Sequence, residues 1–149
     1  MPKNIHLQFR MHFTMGKSPL FISQHPPVYI GEIEGKGRAV FAARDIQRGE
    51  LIEICPMLVL SPADRALADQ TILFNYLFIW CDDEQHAALA LGYGSLYNHA
   101  YYPNARYFVD YETNIMEVHA IKNIKSGDEI CFSYNGDPTD RTPIWFDAK

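Results

Sequence analysis

Cysteine is scarce in this sequence: among 149 residues there are three, Cys55, Cys81 and Cys131, too far apart to form any CxxC pair. That spacing argues against a structural zinc, and an odd number of thiols suits a reducing compartment better than a disulfide framework. A cytoplasmic location is expected, or a nuclear one if the host is eukaryotic. The six histidines show neither HxxxH nor HExxH spacing, so no metal site is expected. No apolar run approaches the ~20 residues that cross a bilayer, and no membrane partner is expected. Acidic residues are missing from positions 1–27, where Lys3, Arg10 and Lys17 are the only formal charges. Removing those three cations from the 13 Lys and Arg leaves 10 against 18 Asp and Glu, so residues 28–149 carry −8 of the net −5. An acidic body repels phosphates and favours cationic partners, so direct nucleic-acid binding is not expected. The basic stretch has one Arg and few serines, unlike an organellar transit peptide, and its LFI piece is too short for a secretory core. It reads as an arm or appended strand, residues 1–27, before one domain at 28–149.

What is present is mostly strand grammar. With 48% hydrophobic and 21% charged residues, the chain has the composition of one globular domain. VYIGEI, GRAVFAARDI and ELIEICPMLVL read as strands, the last interrupted by Pro56, which predicts an edge or a bend. Ser61-Pro62-Ala63-Asp64 predicts a helix start, with Ser61 as N-cap, Pro62 in the first turn and Asp64 as the capping acid. That helix fades near Asp69. TILFNYLFIW (71–80) fits either a buried strand or a helix continuation. Cys81-Asp82-Asp83 reads as a turn. YFVDY and IMEVHAI flank a hairpin turn at Glu112-Thr113-Asn114, and EICFSYN reads as the last strand. IQRGELI (46–52) and IKSGDEI (124–130) echo each other, which is read as common turn chemistry recurring.

The segment GYGSLYNHAYYPNARY (92–107) packs five tyrosines around Asn98-His99 and Pro103-Asn104. A buried Tyr hydroxyl needs a partner, so a plain core avoids such a run. It is either a half-exposed loop covering the core or the aromatic wall of a ligand pocket.

The order of motifs along the chain narrows the choice. Gly35-Lys36-Gly37-Arg38-Ala39 is followed by the turn Arg48-Gly49-Glu50, then Tyr76-Leu77-Phe78, then Asn98-His99 with Pro103-Asn104. Gly127-Asp128-Glu129-Ile130 and Phe132-Ser133-Tyr134 complete the series, with Tyr134 five residues beyond Glu129. This series resembles the SET-domain protein-lysine methyltransferases, in particular small single-domain forms without cysteine-rich flanks, over roughly residues 28–146. The resemblance implies a mainly β fold of small sheets, β-clip-like, with one short helix and a C-terminal pseudoknot. It implies S-adenosylmethionine as cofactor, and a Lys-containing protein substrate. The acidic body suits a basic one: a histone tail, a DNA-packaging protein or a ribosomal protein.

By the same resemblance, Lys36, Gly37, Arg38, Ala39, Tyr76, Asn98, His99 and Trp145 would bind the cofactor. Tyr134 and Tyr76 would be catalytic, and Tyr93, Tyr97, Phe132 and Tyr134 would line the substrate-lysine channel. Phe132 stands where the family uses Phe or Tyr to set product methylation, and Phe implies di- or trimethylation. Two positions depart from the family pattern. Ala39 stands where a second glycine is usual, and at φ > 0 it would be strained by about 1 kcal/mol or more. Ala100 replaces a Ser or Cys after Asn-His. Ile144-Trp145-Phe146 either closes the cofactor pocket or plugs the core. The departures motivate an alternative reading, a SET module that binds cofactor or protein without turnover. A β-rich interaction domain with chance motifs is the third.

Overall fold

The computed structural model describes residues 25–81 and 84–144. Most of the expected N-terminal arm, the tip of the turn at Asp82-Asp83, and Trp145 lie outside the described residues. β1 (Val28–Ile33) and β2 (Gly37–Ala42) form an antiparallel hairpin. Its turn carries Gly35 and Gly37 at φ 81° and 80°, a region open to glycine. Then follow β3 (Leu51–Leu60), α1 (Pro62–Ala68), a 3₁₀ turn Ile72–Tyr76, β4 (Leu77–Trp80) and β5 (His86–Ala90). A second 3₁₀ turn Gly94–Leu96, β6 (Asn98–His99), β7 (Ala105–Asp110), β8 (Ile115–Ala120) and β9 (Cys131–Phe132) complete the order. Among the described residues three small sheets result: β1-β2, β4-β5-β3-β8-β7, and the parallel pair β6-β9. The architecture is mainly β, with one α-helix among the described residues.

Pro56 does not mark an edge strand, because β3 is the centre of the five-stranded sheet. It marks a handover. Residues 51–56 pair with β8 on one side, and residues 57–60 pair with β5 on the other. A residue without an N–H fits where one ladder ends and the next begins.

The apolar stretch 71–80 resolves into both readings in succession, a 3₁₀ turn and then β4. Thr71 caps the turn by accepting the Leu73 N–H at 3.1 Å, and β5 supplies a partner from Leu77 onward. α1 begins as its sequence predicts: Ser61 Oγ accepts the Asp64 N–H at 3.2 Å and donates to Asp64 Oδ2 at 2.7 Å.

The two echoing turns are not independent. Ile46 and Ile124 exchange both backbone hydrogen bonds at 2.9 Å. Gly49 N–H reaches Ala120 O while Gly127 N–H reaches Ala42 O, and Arg48 N–H reaches Asn123 Oδ1 while Ser126 N–H reaches Asp45 Oδ1. Each bond has a twin 78 positions away, so the turns form a pseudo-twofold clasp. Shared turn chemistry explains their composition but not this docking.

The core is built from Val40, Ile46, Met116, Val118, Ile124, Ile130 and Phe132, all fully buried. Through it passes the short crossing that the family likeness implies. β9 runs parallel to β6, Asn98 opposite Cys131 and His99 opposite Phe132. Asn104 clamps it, donating to Glu129 O at 2.8 Å and accepting the Cys131 N–H at 2.9 Å. The expected last strand EICFSYN is therefore strand only at Cys131–Phe132, since its partner β6 is two residues long.

Candidate active site

A cleft of about 440 Å³ opens between the β1-β2 turn, the end of the first 3₁₀ turn, the loop before β6 and the residues after β9. Lys36, Gly37, Arg38, Tyr76, Asn98 and Tyr134 line it, with Glu32, Asn75, Ser95 and Leu96. Six positions singled out from sequence thus meet on one surface, although they are spread over nearly 100 residues.

The cleft is held by a compact polar network. Asn98 Nδ2 donates to Glu129 Oε1 at 2.8 Å and to Arg38 O at 3.2 Å, so both amide protons are used. Its Oδ1 has no partner among the described residues and is left as an acceptor. Lys36 Nζ pairs with Glu129 Oε2 at 3.1 Å, partly buried. Arg38 donates to the Tyr76 hydroxyl at 3.1 Å and sits 5.9 Å from the centre of that ring. Ser95 Oγ bridges the Ala90 N–H and the Tyr76 carbonyl.

Ala39 and His99 lie behind this surface. Ala39 is fully buried in β2 opposite Gly31, and its φ is not positive. The strain expected there is absent. His99 accepts the Tyr134 N–H on Nδ1 at 3.0 Å, which places its own proton on Nε2. That Nε2 is buried and has no hydrogen-bond partner among the described residues. Burial lowers the His99 pKa, so the ring is neutral at neutral pH.

The aromatic residues sort into two groups. Phe132 is fully buried, with the rings of Tyr107, Tyr97, Tyr134 and Phe78 at 4.9, 5.4, 6.0 and 6.3 Å. Tyr134 reaches from this cluster into the cleft and donates its hydroxyl to Tyr97 O at 2.8 Å. Burial raises its pKa well above that of a free phenol, which keeps the hydroxyl neutral. Tyr93 packs, partly buried, against the same core and gives its backbone N–H to Glu53 Oε1 at 2.8 Å, with no ring pairing to the cluster among the described residues.

The SET-domain family model matches residues 37–135, which hold the aromatic cluster and all of the cleft lining except Glu32 and Lys36. The chain belongs to the SET family. Over 124 residues this SET domain is 36% identical to the Schizosaccharomyces pombe histone-lysine N-methyltransferase specific for lysine 37 of histone H3, covering 83% of this chain and 79% of that protein. A solved Plasmodium falciparum structure, assigned as a histone methyltransferase, matches at 33% identity and TM-score 0.55, over 74% of this chain and 94% of that one. The polycomb repressive complex 2 of Chaetomium thermophilum matches at 25% identity and TM-score 0.61, over 72% of this chain and 15% of that one.

Four contributors to this SET site escaped sequence reasoning. Glu129 was visible in its motif, but not as the carboxylate joining Lys36 to Asn98. Phe78 and Tyr107 wall the aromatic cluster, their rings 5.6 Å apart; the motif series held the first and the tyrosine-rich segment the second, but neither carried an expected role. Glu53 accepts the Tyr97 hydroxyl at 2.8 Å from 44 positions away, and nothing local announces it.

Proposed function

We infer that this SET protein is an S-adenosylmethionine-dependent protein-lysine N-methyltransferase in which Tyr134 orients the reacting amine. The observation that carries the reading is the Tyr134 hydroxyl, half-buried, neutral and fixed on Tyr97 O at the junction of polar cleft and aromatic cluster. The cleft residues fit the cofactor: Lys36 offers a cation to a carboxylate, the Asn98 Oδ1 offers an acceptor to an ammonium, and Tyr76 with Arg38 offers a flat face. Gly37 belongs to the same turn, where φ 80° favours a residue without a side chain. His99 Nε2 is a further buried donor on that side. S-adenosylmethionine supplies an electrophilic methyl group on a sulfonium.

The chain's own residues do the rest. The Tyr134 oxygen, its proton given to Tyr97 O, accepts a hydrogen bond from the lysine amine and fixes its approach. Aligned approach is worth several powers of ten in rate when water is excluded. The rings of Phe78, Tyr97, Tyr107 and Phe132 surround the amine and disfavour its charged form, which lowers a pKa that is about 10.4 in free lysine. The same faces hold a methylated ammonium by cation–π contact. Phe132 has no hydroxyl to retain a water beside the amine, so the enzyme proceeds to di- or trimethyl-lysine. The acidic body selects a Lys-rich basic protein segment, such as a histone tail, rather than nucleic acid, in the cytoplasm or nucleus. Ala39, on unstrained backbone, lends no support to the module without turnover.

The test is mass spectrometry of core histones and a host lysate incubated with labelled cofactor. Tyr134→Phe is expected to lose about 10²-fold in turnover, the scale of one positioned polar group, with cofactor binding kept. Phe132→Tyr is expected to stop at monomethyl-lysine. An active Tyr134→Phe enzyme, or a wild type that adds one methyl only, rejects the corresponding half.

A further inference from the structure

Glu53 is a buried carboxylate that the chemistry above does not use. Simple alternation along β3 would not bury both Ile52 and Glu53, yet they are 3% and 7% exposed. The register shift between Leu51 and Glu53 in the ladder with β8 accounts for it, since a bulge re-aims one side chain. Each carboxylate oxygen takes one partner. Oε1 accepts the Tyr93 N–H and Oε2 accepts the Tyr97 hydroxyl, both at 2.8 Å. The Cys55 thiol also faces the group, and no cation pairs with it among the described residues. Gly92 stands at φ 70°, where an added Cβ would collide with Glu53 Oε1, so the loop is shaped around the carboxylate.

We propose that Glu53 is a positioning residue for methyl transfer, pinning the Tyr93–Tyr97 loop so that the Tyr97 carbonyl aims the Tyr134 hydroxyl. The inference rests on the role assigned to Tyr134 above. A carboxylate only accepts hydrogen bonds, so the Tyr93 N–H and the Tyr97 O–H must both point at it, which fixes one arrangement of the loop. A neutral amide offers one acceptor and one donor. The Tyr97 hydroxyl can then turn, and the carbonyl at the backbone end of the same residue loses its fixed mount.

Burial is the largest influence on Glu53 and raises its pKa, against the hydrogen bonds that lower it. A folded-state pKa above the unfolded value of about 4.3 favours folding below that value, and the gain is lost as pH rises through the folded one. Above the unfolded value the preference for the neutral form therefore works against the fold, and an isosteric amide relieves it.

Glu53→Gln separates the two effects. Its Tm is expected to equal or exceed that of wild type at pH 8, the difference shrinking toward pH ~4, while kcat falls about tenfold and the cofactor Kd is unchanged. Added to Tyr134→Phe, the same substitution is expected to change kcat less than about twofold, because both remove one orientation. Tyr97→Phe should reproduce the kcat loss and carries the same cycle if Glu53→Gln does not fold. A folded variant with kcat within twofold of wild type, or a full further loss in the Tyr134→Phe background, overturns the proposal. Full activity of Tyr134→Phe alone instead rejects the role of Tyr134, a result read separately from the Glu53 variants.

Discussion

Ala39 packs its methyl group into the core from β2, opposite Gly31. With no positive φ to relieve, Ala39→Gly removes buried surface and adds freedom to the unfolded chain. A loss of about 1 kcal/mol is expected, with no gain in cofactor affinity; urea denaturation and calorimetry read the two. Gly94 is the opposite case. A Cβ there would lie 2.6 Å from Ala90 Cβ and 2.8 Å from both Cys55 Sγ and Met116 Cε. Gly94→Ala is expected to destabilise by about 1–3 kcal/mol through overpacking, measured in the same denaturation experiment. Lys36 gives a third expectation at the cleft. Lys36→Met leaves Glu129 holding Asn98 but removes the cation that fits the cofactor carboxylate. Cofactor affinity should fall about tenfold, the worth of one partly buried charged contact, and titration calorimetry decides it.

Elements were legible where a local rule and the tertiary partner agree. The helix beginning at Pro62 was readable because Ser61 and Asp64 satisfy the first turn between themselves, whatever packs nearby. Ser61→Ala should cost about 1 kcal/mol while leaving methyl transfer intact, a pairing that thermal melts and a turnover assay check together. The β7-β8 hairpin was equally clear, its turn fixed by Asp110 Oδ1 accepting from Glu112 and Thr113 and by Asn114 at φ 53°. The stretch 71–80 was not, since its apolar run suits either period until β5 pairs with Leu77–Trp80. Pro56 misled for a related reason: the residue demands a missing ladder bond, but sequence does not say that two ladders meet there. The cleft lining was legible through motif order. Its supports were not, because Glu53, Phe78 and Tyr107 gain meaning only from residues tens of positions away.

The clasp between the two turns ties charge to the stability of the entire domain. Lys125 and then the Ser126 N–H hold the Asp45 carboxyl below its ordinary range, and Arg44 does the same for Glu50. Depressed carboxylate pKa values contribute stability above the unfolded value, and that stability is lost as pH falls through the folded one. The wild-type Tm is therefore expected to drop as pH falls from about 5 to 3. Asp45→Asn should lower the Tm at pH 7 and flatten that drop, with 1 M salt shrinking the difference between the two proteins. Equal slopes for wild type and variant would remove the clasp from the account.

The clasp also has a kinetic consequence. Ile46 and Ile124 touch across 78 positions, so their contact closes a loop that spans most of the domain, and closing it early would cost entropy that no local contact repays. The turns should therefore lock last, after the five-stranded sheet has assembled. Folding in milliseconds to seconds is expected, with Ile124→Val speeding unfolding and leaving the refolding limb of a stopped-flow chevron nearly unmoved. A slowed refolding limb would mean that the clasp forms first. In the expected order the molecule opens by the same door through which it closed, and the seam between the two turns sets how long each folded copy lasts.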